Sequence, residues 1–368
     1  MSRLSWAPPS TLPPLYAGWM ASALGGPIAA ETDATCEDCA MCAGPQNRPQ
    51  AGLFFSPETK CCTYMPALPN FLVGRILRDG DPVFAAGRAT VEARLAARLE
   101  VSPLGLEPTA VRALLYGHSV EGTFGQSRVL RCPHYLDEQG GRCGIWRHRN
   151  GVCATWFCKH VRGAVGLRFW RGLEQLLTAV EWQLVRWSVL ELGVEADTLH
   201  ELFRRAASRS KSGGALDVHQ IDGEVDEAAY RRRWGSWAGQ ERKFFEECAR
   251  LVDGLAWPDV LRIGGAEVAL LERLARDAYR HLTSDVIPER LQVGKLEAIT
   301  PGPSHARIVT YRGLDPIDLP KIVFDVLYYF DGGPTVETLS RIRRATGVIL
   351  ESALVRRLVD FEILVPTP

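Results

Sequence analysis

Between Val161 and Leu192, Val165, Phe169, Leu173, Leu176, Val180, Leu184 and Trp187 recur at spacings of three and four, the period of a long helix with one apolar stripe. Aromatic residues in such a stripe belong to a core far more often than to a cofactor box. Shorter helical patterns precede it. One runs from Tyr16 to Leu24, one from Asp81-Pro82 to Glu100 with Val83, Leu95 and Leu99 as its apolar positions, and one from Pro108 to Tyr116. Further helices are predicted near 225–253 and 265–283. Residues 207–224, with Ser-Arg-Ser-Lys-Ser-Gly-Gly, read as a flexible linker. No internal repeat is present.

Two segments break this helical character. Arg128-Val129-Leu130, a Gly140-Gly141 turn and Gly144-Ile145-Trp146 predict short strands or knuckles joined by tight turns between Ser127 and Cys158. Near the C-terminus, Leu319, Ile322, Val323, Val326, Leu327 and Phe330 predict one helix. Asp331-Gly332-Gly333-Pro334 would break it, Thr335 would cap the next helix, Leu350, Leu354 and Leu358 mark a third, and Ile363-Leu364-Val365 reads as a strand. Three short helices and a strand resemble a small winged-helix or peptide-binding (PqqD-like) module. The predicted fold is mainly α with a small irregular cysteine-rich α+β region and a winged-helix-like C-terminal module. It divides into a cysteine-cluster region over 1–160, a helical domain over 161–300 and the C-terminal module over 301–368.

At 368 residues and 46% hydrophobic content, the chain can bury a core without covalent staples, so its cysteines require a chemical explanation. Formal charge balances at 43 basic and 43 acidic residues, which removes any whole-molecule field that would steer the chain to nucleic acid or an anionic membrane. No apolar run reaches the length of a transmembrane helix, about 18 residues. The stretch from Leu15 to Ala30 imitates a signal peptide, but Arg3 is the one positive charge before it, Pro8, Pro9, Pro13 and Pro14 crowd its entry, and Gly25-Gly26-Pro27 interrupts it. The expected compartment is therefore the cytoplasm, where clustered cysteines hold metal more often than they form disulfides.

Nine of the ten cysteines lie between Cys36 and Cys158, and Cys248 stands apart in a helical stretch. The first cluster is Cys36-x-x-Cys39-x-x-Cys42, followed by the adjacent pair Cys61-Cys62. Two residues between ligands let successive thiolates turn toward one ion, because the intervening backbone makes a knuckle whose amides donate to sulfur. The second cluster comprises Cys132, Cys143, Cys153 and Cys158, enough thiols for a tetrahedral site of their own. His134, His148 and His160 lie close enough in sequence to replace a thiolate, although a lone histidine is usually an ordinary hydrogen-bonded residue. Soft sulfur ligands admit either an iron-sulfur centre, as a 4Fe-4S cluster, or zinc. Nine local cysteines would leave one spare for eight ligand positions, and Cys61 or Cys62 is the candidate spare.

These residues resemble the CxxCxxCC, or YkgJ-like, zinc- or iron-chelating proteins, which include the flagellin lysine N-methylases. That family follows its Cys-x-x-Cys-x-x-Cys-Cys opening with a cysteine before Leu-Asp-Gly, a cysteine leading Ile-Tyr, an Arg-Pro pair and two more cysteines. Here Cys132, Leu136, Asp137, Cys143, Ile145, Trp146, Arg149, Cys153 and Cys158 fall in matching order. Ala43 stands in place of the family's adjacent fourth cysteine and Asn150 in place of the proline. Cys61 or Cys62 would repair the first departure. The resemblance covers residues 36–160 and implies metal chelation, with protein modification and S-adenosylmethionine binding expected if the chain is N-methylase-like. It transfers no catalytic residue.

Two functions compete on this basis. One is an iron-sulfur or zinc protein of redox chemistry or protein modification, whose C-terminal module presents a peptide or protein substrate. The other is a non-catalytic binding or regulatory protein that zinc stabilises, with a winged-helix-like end that contacts DNA or a partner. A metal-sensing regulator would combine the two. Arg231-Arg232-Arg233 beside Trp234 and Trp237 suggests nucleic acid, but Asp226, Glu227, Glu241, Glu246 and Glu247 surround the run, which favours a solvated, salt-bridged helical face. Ser119 near His118 lacks a nucleophile elbow.

Overall fold

The computed structural model describes residues 12–28, 30–36, 39–42, 55–211, 221 and 223–367. The Ala43 position and residues 212–220 and 222 of the predicted linker lie outside the described residues. The first part of that linker is instead the end of a helix, Ala196–Lys211. The protein is mainly helical with small antiparallel sheets, and no helix among the described residues is long and apolar enough to cross a membrane. Two compact units divide the chain, the first from Met1–Ala30, Thr35–Trp156 and Glu174–Glu272, the second from Glu31–Ala34, Phe157–Leu173 and Arg273–Pro368.

In the first unit, helix Asn70–Arg78 packs on helix Glu241–Asp253. Gly74 makes this close approach feasible, because a Cβ there would lie 1.8 Å from the Phe245 carbonyl oxygen. The first helix is buried nearly all round, with Phe71, Leu72, Val73, Ile76 and Leu77 enclosed, and the second buries Phe244, Phe245, Ala249, Val252 and a fully enclosed Cys248. Asn70 is buried yet satisfied, since its amide donates to the carbonyls of Pro103 at 3.0 Å and Val185 at 3.3 Å while its oxygen accepts from the Phe71 amide. Trp234 stands edge-on to both Phe244 and Phe245 with centroids 5.5 Å apart. The tryptophan of the basic run is thus core, while Arg231 and Arg232 are exposed.

The predicted Tyr16–Leu24 helix occupies Pro14–Leu24, and its buried Tyr16, Trp19, Met20, Ala23 and Leu24 follow the helical period. The predicted helix from Asp81-Pro82 begins as a 3-10 turn, Pro82–Phe84, in which the Asp81 carboxylate accepts from the Val83 amide. An α-helix continues over Ala85–Ala97 and ends at Arg98 in a left-handed conformation, φ 56°. Val83 is exposed rather than apolar core. The helix expected over Pro108–Tyr116 spans Ala110–Thr123. The long stripe forms helix Gly163–Glu191, with Val165, Phe169, Leu173, Leu176, Val180 and Leu184 buried. Helix Trp257–Thr283 begins earlier than expected and is interrupted at Gly265, φ 61°.

The second unit carries two three-stranded antiparallel sheets. Arg290–Val293 pairs with Asp331–Pro334 on one side and Leu364–Pro366 on the other. His305–Val309 lies between Ala298–Pro301 and Ile317–Pro320. The single helix predicted over Leu319 to Phe330 is therefore corrected to a strand, a short helix Lys321–Phe324 and a 3-10 turn Leu327–Tyr329. Burial alternates along Ile317, Asp318, Leu319 and Pro320, which is the period of a strand. Asp331–Pro334, expected only to break a helix, is itself a strand, and Gly332 supplies the φ of 95° at its irregularity. Thr335 does not cap the following helix Thr335–Thr346; Pro334 holds the cap position and the Thr335 hydroxyl donates to the Pro288 carbonyl at 2.8 Å. Helix Ser352–Asp360 then leads to the final strand.

Candidate metal centre

Eight of the nine predicted site cysteines, Cys36, Cys39, Cys42, Cys61, Cys62, Cys132, Cys143 and Cys153, belong to the first unit, and Cys158 belongs to the second. None of the ten cysteines is in a disulfide. The local backbone joins the two cysteine motifs. The Cys42 amide donates to the Cys39 carbonyl at 2.9 Å, closing the predicted knuckle, and the Phe55 amide donates to the Met41 carbonyl at 2.7 Å. A turn over Ser56 to Cys62 follows, pinned by the Thr59 hydroxyl on the Gly125 carbonyl at 2.8 Å and by the Cys62 amide on the Thr59 carbonyl at 2.9 Å. The Cys132 amide then donates to the Cys62 carbonyl at 2.7 Å, which joins the two cysteine motifs through the main chain.

Cys143 sits in a two-stranded ribbon in which Tyr135 pairs with Cys143 and Leu136 with Arg142. Cys153 lies on a short helix, Gly151–Thr155, whose N-cap is Asn150. The Asn150 oxygen accepts from the Cys153 amide at 3.0 Å and its nitrogen donates to the Ala67 carbonyl at 3.2 Å. Asn150 thus starts this helix by side-chain capping.

The thiols form two hydrogen-bonded pairs and a shared electrostatic neighbourhood. The Cys42 thiol donates to Cys39 and lowers it to about 6. The Cys62 thiol likewise lowers Cys61. Burial pushes Cys36 and Cys132 up to about 12 and also raises Cys143 and Cys153. Cys61 and Cys143 interact with Cys36, Cys132 and Cys143 with Cys62, and Cys132, Cys143 and Cys61 with Cys153. Among the described residues, no three His, Cys, Asp or Glu side chains form a ready-made group that could hold a metal ion. The donor set nevertheless suits a soft metal, being entirely thiol and gathered from both motifs.

Two buried cations enter this neighbourhood: Lys60, which sequence reasoning missed, and Arg149, which it matched to a motif position without giving it a role. The Lys60 ammonium donates to the Cys36 carbonyl at 2.5 Å and the Gly141 carbonyl at 2.7 Å. The Arg149 guanidinium lies 3.3 Å from the Trp146 ring centroid and donates to the Cys153 carbonyl at 3.1 Å, with Cys143, Cys36, Cys153 and Cys61 as its electrostatic neighbours. Aromatic side chains pack on one another in the same unit: Phe124 stands edge-on to Phe55 and Trp156, and Tyr64 to Tyr116.

The histidines are placed differently. Burial lowers His134 to about 3, and its Nδ1 lies 2.7 Å from the Thr90 hydroxyl. Burial likewise lowers His148 to about 4 although its Nε2 is 2.8 Å from the Asp79 carboxylate. His160 and Cys158 lie in the second unit, where the His160 amide donates to Asp315 at 2.9 Å and Arg312 neighbours Cys158. No family model, curated protein or solved structure matches the chain.

Proposed function

We propose that the first unit is a thiolate metal-binding domain that carries an iron-sulfur centre, used in redox chemistry or protein modification. The observation that carries this reading is the link between the two cysteine motifs, in which the Cys132 amide donates to the Cys62 carbonyl and thiols of both motifs act on one another. A bound centre would supply electron transfer, or Lewis acidity at an open position on its metal. The chain's own residues would bind it through these sulfurs, exclude water with Phe55, Phe124, Tyr64 and Trp156, and offset its charge with buried cations. By the cysteine resemblance, the chemistry is N-methylase-like, with S-adenosylmethionine as methyl donor and a peptide or protein substrate presented by a winged-helix-like C-terminal module.

Anaerobic purification followed by metal and sulfide analysis and a visible spectrum tests the proposal. Stoichiometric iron and sulfide with broad visible absorbance are expected. Colourless protein with stoichiometric zinc would replace the iron-sulfur reading by the zinc-stabilised binding protein. A chain that retains neither metal and takes up neither would overturn both.

A further inference from the structure

We propose that the second unit binds a small organic phosphate, a phosphomonoester on a ring-bearing body, in the cavity that Arg168, Arg171 and Lys295 line together. The cavity measures about 520 Å3, within the roughly 300–1,000 Å3 of small-molecule sites. All of its lining residues belong to the second unit, whereas eight of the nine candidate ligand cysteines belong to the first, so the site stands apart from the metal-centre reading.

The main chain fixes the walls. The Gly294 amide donates to the Ile363 carbonyl at 2.8 Å and the Glu297 amide to the Val309 carbonyl at 2.9 Å, so the segment that bears Lys295 is tied at both ends. A Cβ at Gly294 would lie 2.2 Å from the Glu362 carbonyl oxygen, and one at Gly163 would lie 2.7 Å from that of Asp360. These two glycines let the Lys295 segment and the start of helix Gly163–Glu191 close on residues 360–362. Along that helix, Ala164, Leu167, Arg168 and Arg171 follow the three-and-four spacing of one stripe and line the cavity together. Ala164 and Leu167, with Val365, supply apolar lining, and Tyr311 adds an aromatic side chain whose hydroxyl is held by the Asp315 carboxylate.

The charges decide the class of ligand. Arg168 is paired with Glu362. Arg171 stands three residues further along the same helix, where like charges repel, and Lys295 brings a third positive charge to the same space. All three cations are exposed, so a ligand reaches them from solvent. A phosphate dianion between Arg171 and Lys295 replaces their repulsion by charge-assisted hydrogen bonds, and the planar guanidinium matches two phosphate oxygens at once. Glu297 and Glu362 in the same lining repel a polyanion, which favours one phosphate group over a chain of them. The apolar stripe and Tyr311 suit the body of the ligand, which a bare phosphate ion lacks.

Isothermal titration calorimetry of the full chain with AMP, adenosine and inorganic phosphate tests the site; AMP is the phosphomonoester and the other two are its halves. Saturable binding of AMP is expected, with adenosine and inorganic phosphate each weaker by about 10-fold or more. Arg171→Gln and Lys295→Gln should each weaken AMP binding by roughly 10-fold. Both side chains are exposed, so neither change disturbs the core. Lys321→Gln removes an exposed cation of the same unit that does not line the cavity, and should stay within about three-fold of wild type. Absence of saturable AMP binding, or AMP bound no more tightly than either of its halves, would overturn the proposal. So would cavity variants within about three-fold of wild type, or a Lys321→Gln chain weakened as far as they are.

Discussion

The Tyr16 hydroxyl donates to the Glu181 carboxylate across 165 residues of sequence, and the same carboxylate oxygen accepts from the Gly151 amide at 2.6 Å. Glu181 therefore joins the first helix to the start of the short helix that bears Cys153. Burial raises its carboxyl to about 7, against the lowering effect of both donors. A carboxyl raised on folding binds its proton more tightly in the native state, so it contributes stability below its ordinary range that is lost as pH rises toward 7. Wild-type stability is expected to fall between about pH 5 and pH 7 by up to about 3 kcal/mol from this group. Urea unfolding of Glu181→Gln across that range should show a flatter profile, since the amide keeps an acceptor for Tyr16 and Gly151.

The crossing of Gly87 and Gly144 sets how closely helix Ala85–Ala97 approaches the ribbon that carries Cys143. A Cβ on Gly87 would lie 1.8 Å from the Gly144 carbonyl oxygen, so the backbone must move to admit it. Gly87→Ala is expected to destabilise the chain by roughly 1–3 kcal/mol and to reduce metal retention by displacing Cys143. Gly117→Ala is the control, because open space surrounds that helical position; it should gain up to about 1 kcal/mol from helix propensity. Thermal unfolding with metal analysis of both variants checks the contrast.

Asp79 anchors the segment after the Cys143 ribbon by accepting from His148 at 2.8 Å and from Arg147 at 3.2 Å. Burial pushes its carboxyl up, but the Asp81 amide, His148 and Arg147 together hold it below the usual range. A depressed carboxyl stabilises the fold above its ordinary pKa, and that contribution disappears as pH falls through the lowered value. Asp79→Asn is expected to cost roughly 1–3 kcal/mol at pH 7. The difference from wild type should shrink as pH falls below 4, which denaturant unfolding at pH 7 and pH 3 would measure; a difference independent of pH would refute the charge assignment.

What the sequence makes legible here depends on segment length. The Gly163–Glu191 helix repeats its stripe over about six turns, so its period is unambiguous. The Ile317–Pro320 strand offers four residues before the apolar run continues into Lys321–Phe324, and so short a run does not separate a strand from a helix. The cysteines announce themselves by spacing. Lys60 does not, and Arg149 stands out only by its motif position, because nothing in a single sequence distinguishes a buried cation from the solvated ones that make up most of its kind. Glu181 was equally hidden, being one acidic position within an apolar stripe.

Cys153 and Cys248 separate ligand from filler. Both are thiols raised by burial, but Cys153 faces a neighbourhood of Cys132, Cys143, Arg149 and Cys61, whereas Cys248 packs in the helix layer of Phe244 and Val252. Cys153→Ser should release metal and loosen the Gly151–Thr155 turn, because the harder hydroxyl is a poor substitute for a thiolate and the liganded fold is the one the metal stabilises. Cys248→Ala should keep wild-type metal content and cost about 1 kcal/mol or somewhat more for the small cavity it leaves. Metal content per chain and the midpoint of thermal unfolding, read with and without a chelator, measure both effects. Chelator should lower the midpoint of wild type and Cys248→Ala alike and leave Cys153→Ser unmoved; a fully metallated Cys153→Ser would remove that residue from the ligand set.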